Sequence, residues 1–390
     1  MIPGFTYEQR TRIEFGQGCL QKTADILKEL GAKKVLIVTD PNIKSLPFFA
    51  QLQACVEKTG AESLVFDQVK PNPSVQTADA AAAIARDGCD AVIALGGGSV
   101  MDVAKSASVL TANPGSIAQY LFGAGDARKQ ITADGIPVLA IPTTAGTGSE
   151  VSNVVVITDG RGIKDLALHN FLFPRFALVD PEITLKLPAY ITASTGLDVL
   201  GHALESFTST IDCAISELMA LEAIRLSFLY LPKCVKAPDI ESRGYMAYAC
   251  TLAGIAQSLG ACTAAHALSC PLTIRYGIPH GHAVGIAQIP VIEFTRNAIP
   301  EKYKRIVDYI DPAANVPREQ AADYLIGKIR WLLAQTGIDE HAGYALPDEE
   351  ALRRLAAEAM QDDGVHVTAR PVTEQDCIEM YRKIFRPSAC

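Results

Sequence analysis

Three histidines and one aspartate in the second half of the chain have the residue types and spacing of a metal site. Asp198 and His202 are four residues apart, so in a helix both side chains lie on one face. His266 lies in an apolar run, and His280 follows in a turn-like Gly-Ile-Pro-His-Gly segment. Three imidazoles and one carboxylate suit a borderline divalent cation such as Fe²⁺ or Zn²⁺. An Asp-x3-His pair also occurs where the histidine is only a hydrogen-bonded core residue, so the pair alone does not decide.

The composition is that of a globular protein with room for two or three domains. The chain has 390 residues, of which 49% are hydrophobic and 20% charged. A net charge of −8 argues against a nucleic-acid partner. No apolar stretch reaches membrane-spanning length without interruption, and the first residues lack a signal-peptide pattern. The ten cysteines form no CxxC pair and no compact framework, which predicts reduced thiols and a cytoplasmic protein.

The first half of the chain alternates strand and helix patterns. Continuous apolar runs predict buried strands at residues 34–39, 63–66, 90–95 and 137–142. Such strands are typical of a parallel sheet covered by helices on both faces. We therefore expect a Rossmann-like α/β domain over residues 1–183.

The second half is dominated by helical patterns. They predict helices at residues 193–209, 216–229, 242–259, 318–336 and 348–359. We expect an all-α domain over residues 184–390. The metal candidates fall in this half and the glycine-rich loops in the first, so we expect the site in the cleft between the two domains.

A glycine-rich loop follows the predicted strand that ends at Leu95. Gly96, Gly97, Gly98 and Ser99 open a helix, where a backbone without side chains and the helix N-terminus favour a phosphate. The loop is not the GxGxxG fingerprint, and a tight strand-to-helix turn is the alternative.

A second polar loop runs from Thr143 to Glu150, after the strand at residues 137–142. Thr143, Thr144 and Thr147 offer hydroxyls to a nicotinamide ribose or pyrophosphate, although an ordinary helix cap is the alternative. Asp40 ends the first strand, where a carboxylate accepts bonds from ribose hydroxyls and repels a 2′-phosphate, which favours NAD over NADP. Asp-Pro is also a common start of a turn.

Taken together, these motifs resemble one family. Gly-Gly-Gly-Ser-x-x-Asp-x-x-Lys at residues 96–105, the loop at 143–150, the Asp198-x3-His202 pair, and His266-x13-His280-Gly281 occur in one order over essentially the whole chain. The chain is similar to the iron-containing (group III) alcohol dehydrogenases, which include lactaldehyde reductase and 1,3-propanediol dehydrogenase. The resemblance implies NAD(H) as cofactor, Fe²⁺ or alternatively Zn²⁺ as metal, and a homodimer that pairs the N-terminal strands at residues 11–16.

The resemblance also implies roles for individual residues. The metal ligands would be Asp198, His202, His266 and His280. The cofactor contacts would be Asp40, Gly97, Gly98, Ser99, Thr143, Thr144, Thr147 and Lys164. Asn72 would lie at the substrate end of the cleft. Many members have a histidine four residues after the third ligand, where this chain has Cys270, so the pocket is expected to differ in shape.

The substrate and the reaction class leave alternatives open. The segment around His280 resembles a branch that includes phosphonoacetaldehyde reductases, and Lys70 or Arg275 would suit the anionic tail of an aldehyde. A general short-chain alcohol or diol dehydrogenase is the alternative. Dehydroquinate synthase has a similar architecture, so a metal- and NAD-dependent lyase or cyclase is the alternative from another class.

Overall fold

The chain forms two units in the computed structural model, which describes residues 4–386. The α/β unit comprises residues 8–144 and 148–186. The helical unit comprises residues 187–386, residues 145–147 and the described residues before Glu8.

A six-stranded parallel sheet forms the centre of the α/β unit. The strands of this unit are β1 (Arg12–Phe15), β2 (Lys34–Val38), β3 (Glu62–Phe66), β4 (Ala91–Gly96), β5 (Val138–Pro142), β6 (Val154–Thr158), β7 (Lys164–Leu168) and β8 (Phe176–Val179). The order in the sheet is β1-β8-β5-β4-β2-β3, and every neighbouring pair is parallel. β6 and β7 form a separate antiparallel hairpin. The predicted parallel sheet is confirmed.

Helices cover both faces of this sheet because its central strands are apolar on both faces. The helices are α1 (Thr23–Leu30), α2 (Pro41–Lys44), α3 (Pro47–Glu57), α4 (Val75–Arg86), α5 (Gly98–Val109) and α6 (Pro181–Thr184). Leu36 of β2 belongs to a core with α4 and α5, whereas its neighbour Ile37 belongs to a core with α1 and α3. Successive residues of a strand point to opposite faces, which explains why these strands read as continuous apolar runs.

The helical unit has one large core. Its helices are α7 (Ala189–Thr208), α8 (Ala214–Lys236), α9 (Ile240–Gly260), α10 (Ala264–Tyr276), α11 (His280–Thr295), α12 (Pro300–Ile310), α13 (Ala321–Thr336), α14 (Glu349–Ala359) and α15 (Glu374–Ile384). The predicted helical character of this half is confirmed. The sequence did not predict α10 and α11, because each contains a proline, Pro271 and Pro290, and neither has a distinct polar face. None of the helices within residues 4–386 is both long enough and apolar enough to span a membrane.

Candidate functional site

Helix α7 carries the first two candidate metal ligands. Asp198 and His202 lie one turn apart within a stretch of α7 that is almost wholly buried, and their own exposed fractions are 3% and 5%. A buried aspartate and a buried histidine on one helix face are costly unless something pairs with them. The position of α7 in the core therefore points to a partner for these two side chains.

The other two candidate ligands come from the starts of consecutive helices. His266 is the third residue of α10, and His280 is the first residue of α11 instead of part of a turn. Nε2 of His266 lies 3.5 Å from Oδ1 of Asp198, and Nε2 of His280 lies 3.8 Å from the same oxygen. The ligand atoms of these three residues all lie within 4.8 Å of one another, a spacing that one metal ion can bridge.

His202 joins this group through His266. The two imidazole rings stack with their centroids 4.5 Å apart. His202 and His266 also form a second group within 4.8 Å that includes Cys262, a residue that the motifs did not indicate. The four predicted ligands are therefore neighbours, with His266 common to both groups.

The donor atoms of the site fit a divalent cation. Oδ1 of Asp198, Nδ1 of His202 and Nε2 of His266 are buried and make no hydrogen bond within the described part of the chain. Buried polar atoms in folded proteins nearly always have a partner, so three in one place indicate a group that completes them. Imidazole and carboxylate donors suit Fe²⁺ or Zn²⁺.

A buried glutamate, Glu205, fixes the orientation of His266. Its Oε1 lies 2.6 Å from Nδ1 of His266 and 2.7 Å from Nε2 of Gln288, which donates to it. Its Oε2 accepts from the backbone and hydroxyl of Thr263 and from the backbone of His266. A carboxylate at Nδ1 holds the proton on that nitrogen and leaves the Nε2 lone pair for a cation. The motifs missed Glu205, although it lies on the helix turn that follows His202.

The electrostatics of the cluster favour charged forms. Burial raises the pKa of Asp198, but the neighbouring imidazoles of His202, His280 and His266 outweigh burial and lower this pKa below its ordinary value. Burial lowers the pKa of His266, but Cys262 and Glu205 raise it well above its ordinary value. Burial likewise raises the pKa of Glu205, but His266 outweighs burial, and the pKa of Glu205 lies below its ordinary value. The pocket therefore keeps Asp198 ionised next to positive charge, and a bound cation would have to displace the proton that His266 otherwise holds.

Glycine allows α11 to approach α7 closely enough to bring His280 to Asp198. A Cβ on Gly281 would lie 1.9 Å from the backbone oxygen of Ser194 and 2.9 Å from Cβ of Asp198. A Cβ on Gly201 would lie 2.2 Å from Cγ1 of Val284. Only glycine fits at these crossings, so the sequence around the ligands also sets the spacing of the helices.

The glycine-rich loop lies at the carboxyl edge of the sheet in the α/β unit. Gly97 precedes the first residue of α5 in an extended conformation, and Gly98 and Ser99 form the start of that helix. A Cβ on Gly97 would lie 3.3 Å from Oγ1 of Thr144, and the backbone of Thr143 donates to Gly96. The two polar loops that follow β4 and β5 are thus adjacent, as expected of neighbouring parallel strands.

The remaining cofactor candidates have different surroundings. The carboxylate of Asp40 caps α2 by accepting from the backbones of Asn42 and Ile43. Lys164 begins β7 opposite Thr158. Thr147 belongs to the helical unit, where its carbonyl accepts from Nε2 of Gln257 at 2.6 Å.

A buried lysine in α5, which the motif contained without an assigned role, joins this helix to the segment at residues 149–154. Nζ of Lys105 donates to Oγ of Ser149 and to the carbonyls of Ser152 and Val154. Oγ of Ser149 also donates to Asp102. Burial lowers the pKa of Lys105 and raises that of Asp102. This network holds α5 against the segment at residues 149–154.

The candidates for the substrate pocket belong to both units. Arg275 makes a two-pronged ion pair with Glu358 near the surface of the helical unit, with Nη2 2.6 Å from Oε1. Cys270 lies half-buried on α10, one turn after His266. Lys70 is exposed, and Asn72 has a positive φ of 54°, with its carbonyl accepting from Oγ1 of Thr158.

Two family models match the chain. The model described as iron-containing alcohol dehydrogenase matches residues 10–181, and the C-terminal model of the Fe-containing alcohol dehydrogenase family matches residues 192–385. The chain is 33% identical over 375 residues to long-chain-alcohol dehydrogenase 1 of Geobacillus thermodenitrificans, covering 95% of this chain and 94% of that protein. It is 30% identical over 382 residues to 1,3-propanediol dehydrogenase of Citrobacter freundii, covering 95% and 96%.

A solved structure shows the same fold. The crystal structure of sulfoacetaldehyde reductase from Bifidobacterium kashiwanohense in complex with NAD⁺ matches with a TM-score of 0.85 and 33% identity, covering 98% of this chain and 99% of that one. The resemblance predicted from the motifs is confirmed. This chain therefore belongs to the iron-containing alcohol dehydrogenase family, whose members are oxidoreductases that act on CH–OH groups.

Proposed function

We propose that this protein is an NAD(H)-dependent alcohol dehydrogenase or aldehyde reductase with a divalent metal, most simply Fe²⁺, held by Asp198, His202, His266 and His280. The observation that carries the proposal is the cluster of buried donor atoms around Asp198, which lack hydrogen-bond partners within residues 4–386. A cation bound there supplies Lewis-acid chemistry: it polarises an aldehyde and lowers the pKa of an alcohol.

The residues of the chain then have distinct roles. Asp198 balances part of the metal charge, and Glu205 keeps the Nδ1 proton of His266 away from the metal side. The burial of Asp198, His202 and Glu205 excludes water from one side of the centre, which strengthens its electrostatics. None of these side chains has to act as a dedicated base.

In this proposal the cofactor-binding residues belong to the α/β unit, apart from Thr147. Gly97, Gly98 and Ser99 offer backbone N–H groups at the start of α5 to the pyrophosphate. Thr143, Thr144 and Thr147 face the nicotinamide half, Lys164 the adjacent ribose, and Asp40 the adenosine ribose. The relative from B. kashiwanohense was solved with NAD⁺, which supports this choice of cofactor.

For the substrate we propose a short-chain aldehyde, including one with an anionic tail such as a sulfonate, phosphonate or carboxylate. The support is the similarity to a sulfoacetaldehyde reductase at 33% identity. Relatives named for neutral alcohols have comparable identity, so a neutral diol or alcohol is the alternative. Arg275 forms an ion pair with Glu358, whereas Lys70 is exposed. Lys70 is therefore the better candidate of the two for binding the anionic tail of the aldehyde.

The test is NADH consumption by Fe²⁺-loaded protein with paired aldehydes. Sulfoacetaldehyde, phosphonoacetaldehyde and succinic semialdehyde would be compared with lactaldehyde and propanal. A preference for one anionic aldehyde that falls in Lys70→Ala supports a dedicated reductase of charged aldehydes. Equal rates on neutral aldehydes support a general dehydrogenase, and no turnover of any aldehyde would overturn the proposal in favour of a lyase.

We also propose a homodimer formed through β1. This strand lies at the edge of the sheet and pairs on one side with β8. An edge strand offers backbone groups to a second copy. Light scattering coupled to gel filtration tests this: the wild type should have the mass of a dimer, and Ile13→Pro, which removes a donor from the strand, should shift it to a monomer.

A further inference from the structure

Cys262 is a thiol next to the metal residues for which the proposed reaction has no use. It offers Sγ to a group in which one ligand atom each of His202, Cys262 and His266 lie within 4.8 Å of one another. His202 and His266 are more than nine-tenths buried, and Cys262 is half-buried. This second set shares His202 and His266 with the four ligands proposed above, and Cys262 is its additional donor.

The histidines of this second set have donor atoms to offer. Nδ1 of His202 and Nε2 of His266 are buried and make no hydrogen bond to any residue that the structure describes. The thiol of Cys262 makes a long contact, 3.6 Å, with Oε1 of Gln257, and it also interacts with the imidazoles of His202 and His266. A set of two imidazoles and a thiolate is softer than a set that includes a carboxylate, and soft thiolate donors suit Zn²⁺.

The backbone that places Cys262 is strained. Ala261, between α9 and α10, has φ 62° and ψ 165°, a region that residues with a Cβ avoid. Such a conformation persists only where the surrounding packing enforces it. The packing is evident at Gly260, where a Cβ would lie 2.7 Å from the backbone oxygen of Ser206 on α7. Close packing of Gly260 against α7 therefore fixes the chain two residues before Cys262.

We propose that Cys262 is an alternative metal ligand, and that this centre holds thiophilic divalent cations through His202, Cys262 and His266. On binding, the thiol releases its proton to solvent and the thiolate sulfur bonds to the cation. Because His266 has one free ring nitrogen, only one of the two sets is filled at a time. This inference rests on the proposed metal centre and adds a second way for that centre to hold an ion.

The test is the absorption spectrum of the chelator-stripped protein after it is loaded with Co²⁺. A thiolate ligand gives a sulfur-to-cobalt charge-transfer band in the near ultraviolet. We expect this band in the wild type, and we expect it to disappear in Cys262→Ser and Cys262→Ala while Co²⁺ remains bound. Cys270→Ser is the matched control, since it removes another half-buried thiol from the same region, and it should keep the band. Asp198→Asn should also keep it, because Asp198 belongs to the other set.

A second measurement requires no variant. Bound Co²⁺ should protect Cys262, but not Cys270, from alkylation by iodoacetamide, as mapped by mass spectrometry.

A third measurement is the Zn²⁺ affinity of Cys262→Ser. Loss of a residue that only supports a ligand lowers metal affinity by about 10–100-fold, and we expect a larger loss here because Cys262 is itself a ligand.

The outcomes separate this inference from the proposed function. Co²⁺ that binds without the band, or with a band unchanged in Cys262→Ser, overturns the thiolate ligand and leaves the metal centre standing. Equal alkylation of Cys262 with and without Co²⁺ has the same meaning. Failure of the stripped protein to bind Co²⁺ overturns both.

Discussion

Oε1 of Glu205 lies 2.6 Å from Nδ1 of His266, so one carboxylate buried on α7 orients the imidazole of a proposed metal ligand on α10. The same carboxylate joins Thr263, at the start of α10, and Gln288 on α11. Three helices that supply candidate ligands thus converge on one side chain. The geometry of the centre depends on Glu205 as much as on the ligands.

Replacing Glu205 by Gln should therefore weaken metal binding. The amide places an N–H₂ group among donors, so His266 loses its fixed orientation, and we expect a loss of about 10–100-fold in Fe²⁺ or Zn²⁺ affinity. Chelator competition measures this loss. Glu222→Gln is the control, because Glu222 pairs with Arg225 on α8 away from the ligands. Equal affinities of the two variants would show that Glu205 has no such role.

Replacing Asp40 by Asn should relax the preference for NAD(H). Asparagine keeps the acceptor that caps α2 but removes the charge that repels a 2′-phosphate. We expect the ratio of kcat/KM for NADPH to that for NADH to rise by about tenfold, which is 1.4 kcal/mol. Steady-state kinetics with both cofactors measures the ratio. Asp87→Asn, at an exposed acid, should leave it unchanged, and an unchanged ratio in Asp40→Asn would place the ribose elsewhere.

Gly281→Ala should be strongly destabilising. The new Cβ would meet the Ser194 backbone oxygen at 1.9 Å, so α11 must move away from α7, at a cost of at least about 1–3 kcal/mol. His280 would move with it and metal affinity would fall. Gly327→Ala in α13 meets nothing within 4 Å and should be neutral or stabilise by up to about 1 kcal/mol. Urea unfolding compares the two, and equal midpoints would contradict the packing described here.

His169 should make the α/β unit less stable in acid. Its Nδ1 accepts from the backbone of Phe171, which requires a neutral ring. Burial, together with Arg10, lowers the pKa of His169. Because the folded pKa lies below the unfolded value of about 6.5, the unfolded state binds more protons between the two values.

The free energy of unfolding should therefore fall as the pH drops below about 6.5, with a slope from this group of at most about 1.4 kcal/mol per pH unit. His169→Asn keeps a capping side chain without a titrating ring, so the difference in unfolding free energy between the two proteins should become independent of pH above pH ~7.5. Urea midpoints from pH 5 to pH 8 give this difference. A difference that does not change with pH would exclude the titration of His169 as its source.

The sequence predicted several elements whose residues repeat in a simple pattern, although α12 and α15 were missed. The apolar runs of β2, β4 and β5 and the spacing of Asp198 and His202 needed only local periodicity. Glu205 and Cys262 were missed for a physical reason. An acid on a helix is usually solvated, and a cysteine after a helix is usually a small apolar residue, so only tertiary packing distinguishes these two.

The helices α10 and α11 escaped prediction for a related reason. Residues buried on all sides leave no polar face, and internal prolines argue against a helix. The fully buried Lys105 is a similar case, because its hydrogen-bond acceptors are carbonyls of a loop more than forty residues away. Long-range partners of this kind cannot be inferred from spacing alone.

The pairing of β1 with β8 has a consequence for biosynthesis. The hydroxyl of Thr11, just before β1, donates to the carbonyl of Pro174, 163 residues further along the chain. At a ribosomal rate of about 5–20 residues per second, β1 waits on the order of ten to thirty seconds for its partner strand to be synthesised. During that wait the backbone of β1 has no strand to pair with, and the alternating charges of Arg12 and Glu14 discourage aggregation of nascent chains. The sheet can close only after nearly half of the polypeptide has left the ribosome.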